Sequence, residues 1–315
     1  MSEQEKTYSQ MRNDFYKEYQ KTILPCIKKF DKSRIIHLVF AVSLFLLFFT
    51  IGILILIGTI SGELFLINLA DDSMKVALAF ISGAFWVYFV IKKGFESELK
   101  DKIMPIVCSC FSNNLMWYEN TYMGSYKIHE SGLLGDYEDE SYDDIFEGTY
   151  KGVKFEIAEA VYRKKGYRHN SVIFQGVIIR VPMNKTIETH TIIKLDSMVH
   201  ISPVYGLRHT TLEDVVFEKN FDVFTDNEVE ARYLITPSFM QRLNSIKKIF
   251  LAGAIECAFY KDELIIALHT SRDLFSIGSL MTPIDDSKQY FQMFEEILSI
   301  IKLIDHFKLD QKIGL

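Results

Sequence analysis

The chain has 315 residues, 49% of them hydrophobic, and a formal net charge of -6 at pH 7. That acidity, with no basic stripe interleaved with aromatics, argues against a nucleic-acid binder. Among its four cysteines, Cys108-x-Cys110 lacks the second ligand pair of a zinc site, which leaves structural thiols.

Residues 5–31 read as a helix, because Tyr8, Met11, Phe15, Tyr19 and Ile23 recur at helical spacing on an otherwise charged segment. Residues 35–60 follow, a run of 26 without Asp, Glu, Lys or Arg, about 39 Å long as a helix and able to cross a bilayer. A secretory signal peptide would have a shorter apolar core, nearer the start, and a small-residue cleavage site. A second apolar run covers 74–91, with Trp86 and Tyr88 where interfacial rings are expected. Lys28, Lys29, Lys32 and Arg34 precede the first run and Lys92, Lys93, Lys100 and Lys102 follow the second, whereas the connection carries Lys75 beside Glu63, Asp71 and Asp72. This bias predicts a hairpin with both ends in the cytoplasm. Neither run holds an ionisable group at membrane depth, so the pair reads as an anchor and not as a transport path. Gly58 with Gly62, and Ser82-Gly83-Ala84, offer small surfaces for close helix packing.

Residues 94–112 read as a second flanking helix, and its Ile103-Met104-Pro105-Ile106 is similar to Ile23-Leu24-Pro25-Cys26. Each helix is expected to kink or break before its proline, and the two to pack as a short stalk. From residue 113 the periodicity changes to that of strands. Val153, Phe155 and Ile157 alternate with Lys154 and Glu156 after a Lys151-Gly152 turn. Further strands are predicted over 171–181, 192–195 and 229–235, and a hairpin over 255–268 turning at Lys261-Asp262. Thr236-Pro237 caps one helix, with Phe239, Leu243 and Ile246 on its buried face. Asp285, Asp286 and Ser287 open another, with Phe291, Phe294, Leu298, Ile301 and Ile304 as its stripe. The expected class is α+β: a transmembrane helical hairpin with flanking amphipathic helices, then an antiparallel or mixed sheet with late helices. The expected division is 1–34, 35–93, 94–112 and 113–315.

Three polar groupings are candidate sites. A strand over 226–235 would place Glu228, Glu230 and Arg232 on one face, where Arg232 could orient a phosphate or carboxylate, or simply hold an ion-pair network. Asp136, Glu138, Asp139, Glu140, Asp143 and Asp144 lack the spacing of a calcium loop and read as a solvated loop. Arg163, Lys164, Lys165, Arg168 and His169 form a basic hairpin tip. The eight histidines are dispersed, and no nucleophile elbow, phosphate loop, H-E-x-x-H or dinucleotide fingerprint occurs. No cofactor and no catalytic residue is expected.

Phe217-Glu218-Lys219-Asn220-Phe221-Asp222-Val223, Asp226, the run from Val229 through Thr236-Pro237 to Met240, and Phe174-Gln175-Gly176 together resemble a family of bacterial membrane proteins, DUF3137. The resemblance implies a two-span anchor in the cytoplasmic membrane, a cytoplasmic domain, and no established activity. The expected function is a binding or scaffold module without catalysis, the alternatives being a membrane-tethered enzyme with an acidic or Arg-containing site and a structural subunit of an assembly. The expected partners are the lipid bilayer and a protein at the cytoplasmic face, or a second copy of the chain, and not nucleic acid.

Overall fold

The computed structural model describes residues 6–61, 70–111, 114–119, 121, 123–124, 126–166, 169–183, 187–195, 206–212 and 215–306. The chain divides into two compact units. One gathers Met1–Asp14, Val107–Phe275 and Phe291–Leu315, the other Phe15–Ile106 and Ser276–Tyr290.

The helical unit is built on long helices. Helix α1 (Tyr8–Glu18) passes through a π-helical turn (Tyr19–Ile23) into α2 (Leu24–Ser61), and α3 covers Ala70–Phe111. The expected break at the prolines does not occur. Pro25 stands at the second position of α2, and the wide π turn just before it gives its ring room and absorbs the missing N–H. Pro105 lies inside α3, which runs on because Ile103, Met104 and Val107 around it are fully buried and packing outweighs the lost bond. The expected stripe on the first helix is buried from Met11 to Ile23. Phe30 and His37 of α2 meet Phe95 of α3 at ring separations of 6.1 and 5.6 Å. Farther along, Ala41, Ala77 and Ala84 are buried, and a Cβ on Gly52 would sit 2.7 Å from Ile81 Cγ1, so a glycine is required there. Of the small residues singled out above, Ser82 stays exposed and Gly62 lies outside the described residues.

Residues 276–290 join this unit as a strap that no periodicity announces. The Tyr290 hydroxyl lies 3.0 Å from the Ile277 carbonyl and 2.9 Å from that of Ile284 and shares its one proton between them, closing the strap on itself. Arg34 is held by Asp31 at 2.7 Å and donates to the Leu280 carbonyl at 3.3 Å. Two helical stretches, Tyr8–Ser61 and Ser73–Phe111, are long and apolar enough to cross a membrane.

The other unit is a nine-stranded sheet: β1 (Met116–Glu119), β2 (Asp139–Tyr150), β3 (Val153–Lys164), β4 (Ser171–Pro182), β5 (Thr191–Leu195), β6 (Arg208–Thr210), β7 (Phe221–Thr225), β8 (Ala254–Tyr260) and β9 (Glu263–His269). Their spatial order is β1-β2-β3-β4-β9-β8-β5-β7-β6, and every pairing is antiparallel. The turns follow from local chemistry. Lys151 and Gly152 (φ 49° and 75°) close β2 on β3, and Lys261 and Asp262 (φ 46° and 60°) close β8 on β9, both with the doubly positive φ of a type I′ turn. One cross-strand row, Trp117-Phe146-Ile157-Ile179-Ile266-Cys257-Ile193-Val223-Thr210, spans all nine strands. Its seven inner residues are completely buried. The central strands are covered on both faces, which is why β4, β8 and β9 read as dense apolar runs and not as alternating ones.

On one face, Met123, Ile128 and Leu133, around helix α4 (Tyr126–Ser131), pack over Ile145, Ala158, Ile178, Ala258 and Ile265. A short helix, α5 (Val215–Glu218), precedes β7; Phe239 of helix α7 (Pro237–Ile249) meets Phe259 at 5.3 Å, and Phe111 stacks on Phe294 of helix α8 (Ser287–His306) at 4.6 Å. Both helices start as expected: Thr236 Oγ1 accepts from Phe239 N (3.2 Å) and Asp286 Oδ1 from Lys288 N (3.0 Å). Only the start of the acidic run is a loop, Asp136 and Glu138 preceding β2. Asp139 to Asp144 open β2 because Tyr137 and Tyr142 turn inward onto Tyr162 at 4.5 and 6.0 Å, and Asp144 is buried accepting Trp117 Nε1 at 2.7 Å. The basic tip does join β3 to β4, with Arg163 Nη1 on Ser141 Oγ at 3.0 Å, while Arg168 lies outside the described residues.

Candidate functional site

The predicted strand carrying Glu228, Glu230 and Arg232 is a helix, α6 (Glu228–Leu234). Asn227 caps it, its Oδ1 accepting Glu230 N at 3.3 Å while its Nδ2 reaches back to Glu230 Oε2 at 3.5 Å. This is a side-chain N-cap, while the Asn227 backbone N donates to Thr225 Oγ1 at 3.1 Å. Asn at the cap, acids in the first turn and Arg in the last satisfy the helix ends, and that local chemistry outweighs the β-type Val229 and Tyr233. The three residues therefore share no face. Glu228 and Arg232 are one helical turn apart, whereas Glu230 turns toward Glu188 N, its Oε1 accepting at 3.3 Å. Arg232 is exposed and makes no hydrogen bond or ion pair among the described residues.

The polar chemistry that the fold does gather lies on the sheet. Lys194 of β5 and Glu256 of β8, each 3% exposed at the side chain, stand 4.0 Å apart, and Lys194 Nζ also donates to the Leu133 carbonyl at 2.8 Å. His269, the last residue of β9, brings Nε2 to 3.8 Å from Glu256 Oε2 while its ring meets Phe174 edge-on at 4.9 Å. The buried ion pair thus ends on a histidine at the strand terminus.

That histidine lines a cleft. Pairing of β4 with β9 stops at Gly176 opposite His269, so residues 171–175 of β4 run on without a β9 partner, apart from one bond from Thr270 N to Gln175 O at 3.0 Å. The opening is a cavity of about 530 Å³ lined by Val172 to Gln175, Leu251, Gly253 and His269 to Arg272. Gly176 makes the junction possible: its φ is 151°, and a Cβ there would lie 1.9 Å from the Leu268 carbonyl and 2.8 Å from Thr270 N. The far wall comes from the end of α7, where Leu251 N donates to Lys248 O (3.2 Å) and Ala252 N to Lys247 O (2.9 Å). These two bonds make a Schellman turn whose left-handed position, normally glycine, is Leu251 at φ 49°.

Two of the lining residues, Arg272 and His269, each have one buried nitrogen, Nη1 and Nε2, without a hydrogen bond. Glu296 of α8 feels the Arg272 charge but is turned to Gln292 Nε2 at 2.9 Å, and burial pushes its carboxyl up to about 7. Burial raises the Cys257 thiol well above its usual value, which keeps it a neutral thiol of the sheet core. Among the described residues no group of three or more His, Cys, Asp or Glu side chains could hold a metal ion. The cleft residues are far apart in sequence and have no spacing pattern; Phe174-Gln175-Gly176 was the one segment among them that stood out in the sequence.

No curated protein matches the chain. Among solved structures, the crystal structure of the mycobacterial trehalose monomycolate transport factor A, TtfA, is similar with a TM-score of 0.32 and 7% sequence identity, over 64% of this chain and 91% of that one. Residues 172–309, which include every cleft residue and the whole of α6 and α7, match a family described as "Protein of unknown function (DUF3137)".

Proposed function

We propose that this chain is a membrane-anchored binding module, with α2 and α3 crossing the bilayer as a hairpin and the sheet unit serving as a ligand-binding body in the cytoplasm. One observation carries the anchor. In the most apolar stretch of each long helix only 11% of the residues are buried, so Ile36, Leu54, Ile60 and Trp86 present their side chains outward. The core helix of a soluble protein buries such residues; these need an apolar solvent. The orientation rests on the lysines and arginine that flank the hairpin at residues 28–34 and 92–102. The binding role rests on the ligand-sized cleft, and the reading includes no catalysis.

The test is thiol labelling in intact cells, with the four natural cysteines replaced. A single cysteine at Asn68 is expected to react with a membrane-impermeant maleimide, and one at Ser287 only after the cells are opened. The reverse pattern would overturn the orientation, and recovery of the chain in the carbonate-washed soluble fraction would overturn the anchor.

A further inference from the structure

We propose that the cleft at the β4–β9 junction binds a small amphipathic oxyanion, an organic carboxylate or phosphate, with its charged head on Arg272 and its apolar body against Val172, Ile173 and Leu251. This deepens the reading of the sheet unit as a binding module and rests on it. Three independent observations converge on this place.

The first is size: at about 530 Å³ the cleft, which lies open to solvent, has the volume of a small-molecule site. The second is unmet donor capacity. Arg272 is half-buried in the cleft lining, its guanidinium has no hydrogen-bond acceptor, and no carboxylate oxygen stands within 4.0 Å of it among the described residues. A guanidinium is always charged and only donates, so an acceptor-rich anion completes it. His269 Nε2 is turned to Glu256 Oε2 at 3.8 Å, so the groups left for a ligand are the guanidinium and Ser271 at the exposed rim. Glu256 does not serve as counter-ion for an incoming group, since Lys194 already faces it at 4.0 Å.

The third observation is a residue that breaks the local rules. Leu251 holds a left-handed backbone conformation that favours glycine, and 65% of its surface is exposed, so neither backbone preference nor burial explains a leucine there. Val172, across the same cleft, is 55% exposed. Two large exposed aliphatic side chains lining the same cleft as an unpaired guanidinium fit a ligand with an apolar body and an anionic head.

The experiment is calorimetric titration of the full chain in phosphatidylcholine nanodiscs, with empty discs as the blank and three probes of one shape: phenyl phosphate, benzoate and benzyl alcohol. One or both anions are expected to bind saturably and benzyl alcohol is not. Arg272→Gln is expected to weaken the anion about tenfold or more, as loss of a charged hydrogen-bond donor does. Leu251→Asp, a substitution the left-handed backbone tolerates, adds a negative charge at the lip and is expected to weaken it as well, whether or not Arg272→Gln folds. Equal binding of benzyl alcohol, no saturable binding of either anion, or unchanged affinity in Leu251→Asp would overturn the proposal, and none of these would alter the labelling pattern that tests the anchor. Repeating the titration in phosphatidylglycerol discs separates the sources: weakened phenyl phosphate assigns the same site to an anionic lipid headgroup, and unchanged affinity assigns it to a free solute.

Discussion

Replacing Gly176 by alanine is expected to destabilise the sheet unit more than any other single methyl addition to it. At φ 151° an alanine would carry backbone strain of about 1–3 kcal/mol. Its Cβ, 1.9 Å from the Leu268 carbonyl oxygen, cannot be accommodated by a rotamer change because the obstacle is backbone. Strands β4 and β9 must therefore separate locally, an overpacking cost of about 1–3 kcal/mol. The bond from Thr270 N to Gln175 O, just beyond the last strand pair, is lengthened or lost for about 0.5–1.5 kcal/mol more. The total is about 2.5–7.5 kcal/mol. Trp86 and Trp117 are the two tryptophans, so in a Trp86→Phe background Trp117 of β1 reports on the sheet. Urea unfolding of the full chain in detergent, followed by its fluorescence, should show a midpoint about 1 M lower or more. A midpoint within about 0.3 M of the parent would refute the claim that the junction needs glycine.

Leu251→Gly should raise the stability of the same unit by about 0.5–1 kcal/mol in that assay, because the relief of left-handed strain exceeds the added chain entropy. Glu296→Gln should be stabilising at pH 8 by about 2–3 kcal/mol and neutral at pH 4: the folded carboxyl keeps its proton up to about 7 whereas the unfolded one releases it near 4.5, so wild-type stability falls as pH rises between those values. Parallel urea curves at pH 8 would sink that assignment. Arg232→Ala should change stability by less than about 0.5 kcal/mol, since the side chain is exposed and makes no ion pair among the described residues; a loss above about 1 kcal/mol would mean a partner outside them.

The strands were legible where one chemistry governs a residue. Val153, Phe155 and Ile157 alternate because that edge of β3 is half-solvated, and Lys151-Gly152 and Lys261-Asp262 mark turns through their own backbone preferences. Errors arose where two local signals compete. Val229, Ala231 and Tyr233 suggest a strand, yet Asn227 capping Glu230 N satisfies a helix start, and the cap prevails because it pairs a backbone donor that a strand would leave to its neighbours. Similarly, the acids of 139–144 read as solvated until the inward Tyr137 and Tyr142 are placed on Tyr162. The strap and the cleft are illegible for another reason. Arg34 with Leu280, and Val172 with Leu251 and Arg272, become neighbours only through pairings of high sequence separation, and no period in a single segment encodes those.

The strand order also sets a schedule for synthesis. The two strands at the centre of the sheet, β9 and β8, are encoded after all the others, yet they stand between β4 and β5. Until residue 269 has left the ribosome, the inner edges of β4 and β5 have no partner, and each is a row of unpaired backbone groups flanked by Ile178, Ile179, Ile192 and Ile193. The β2–β3–β4 meander can form early from local contacts, but the sheet can close only when the 254–269 hairpin inserts as a wedge between two waiting edges. Its tight Lys261-Asp262 turn lets that wedge form by itself first. Substitutions that slow the hairpin are therefore expected to act through aggregation of the nascent chain, even where the finished fold tolerates them.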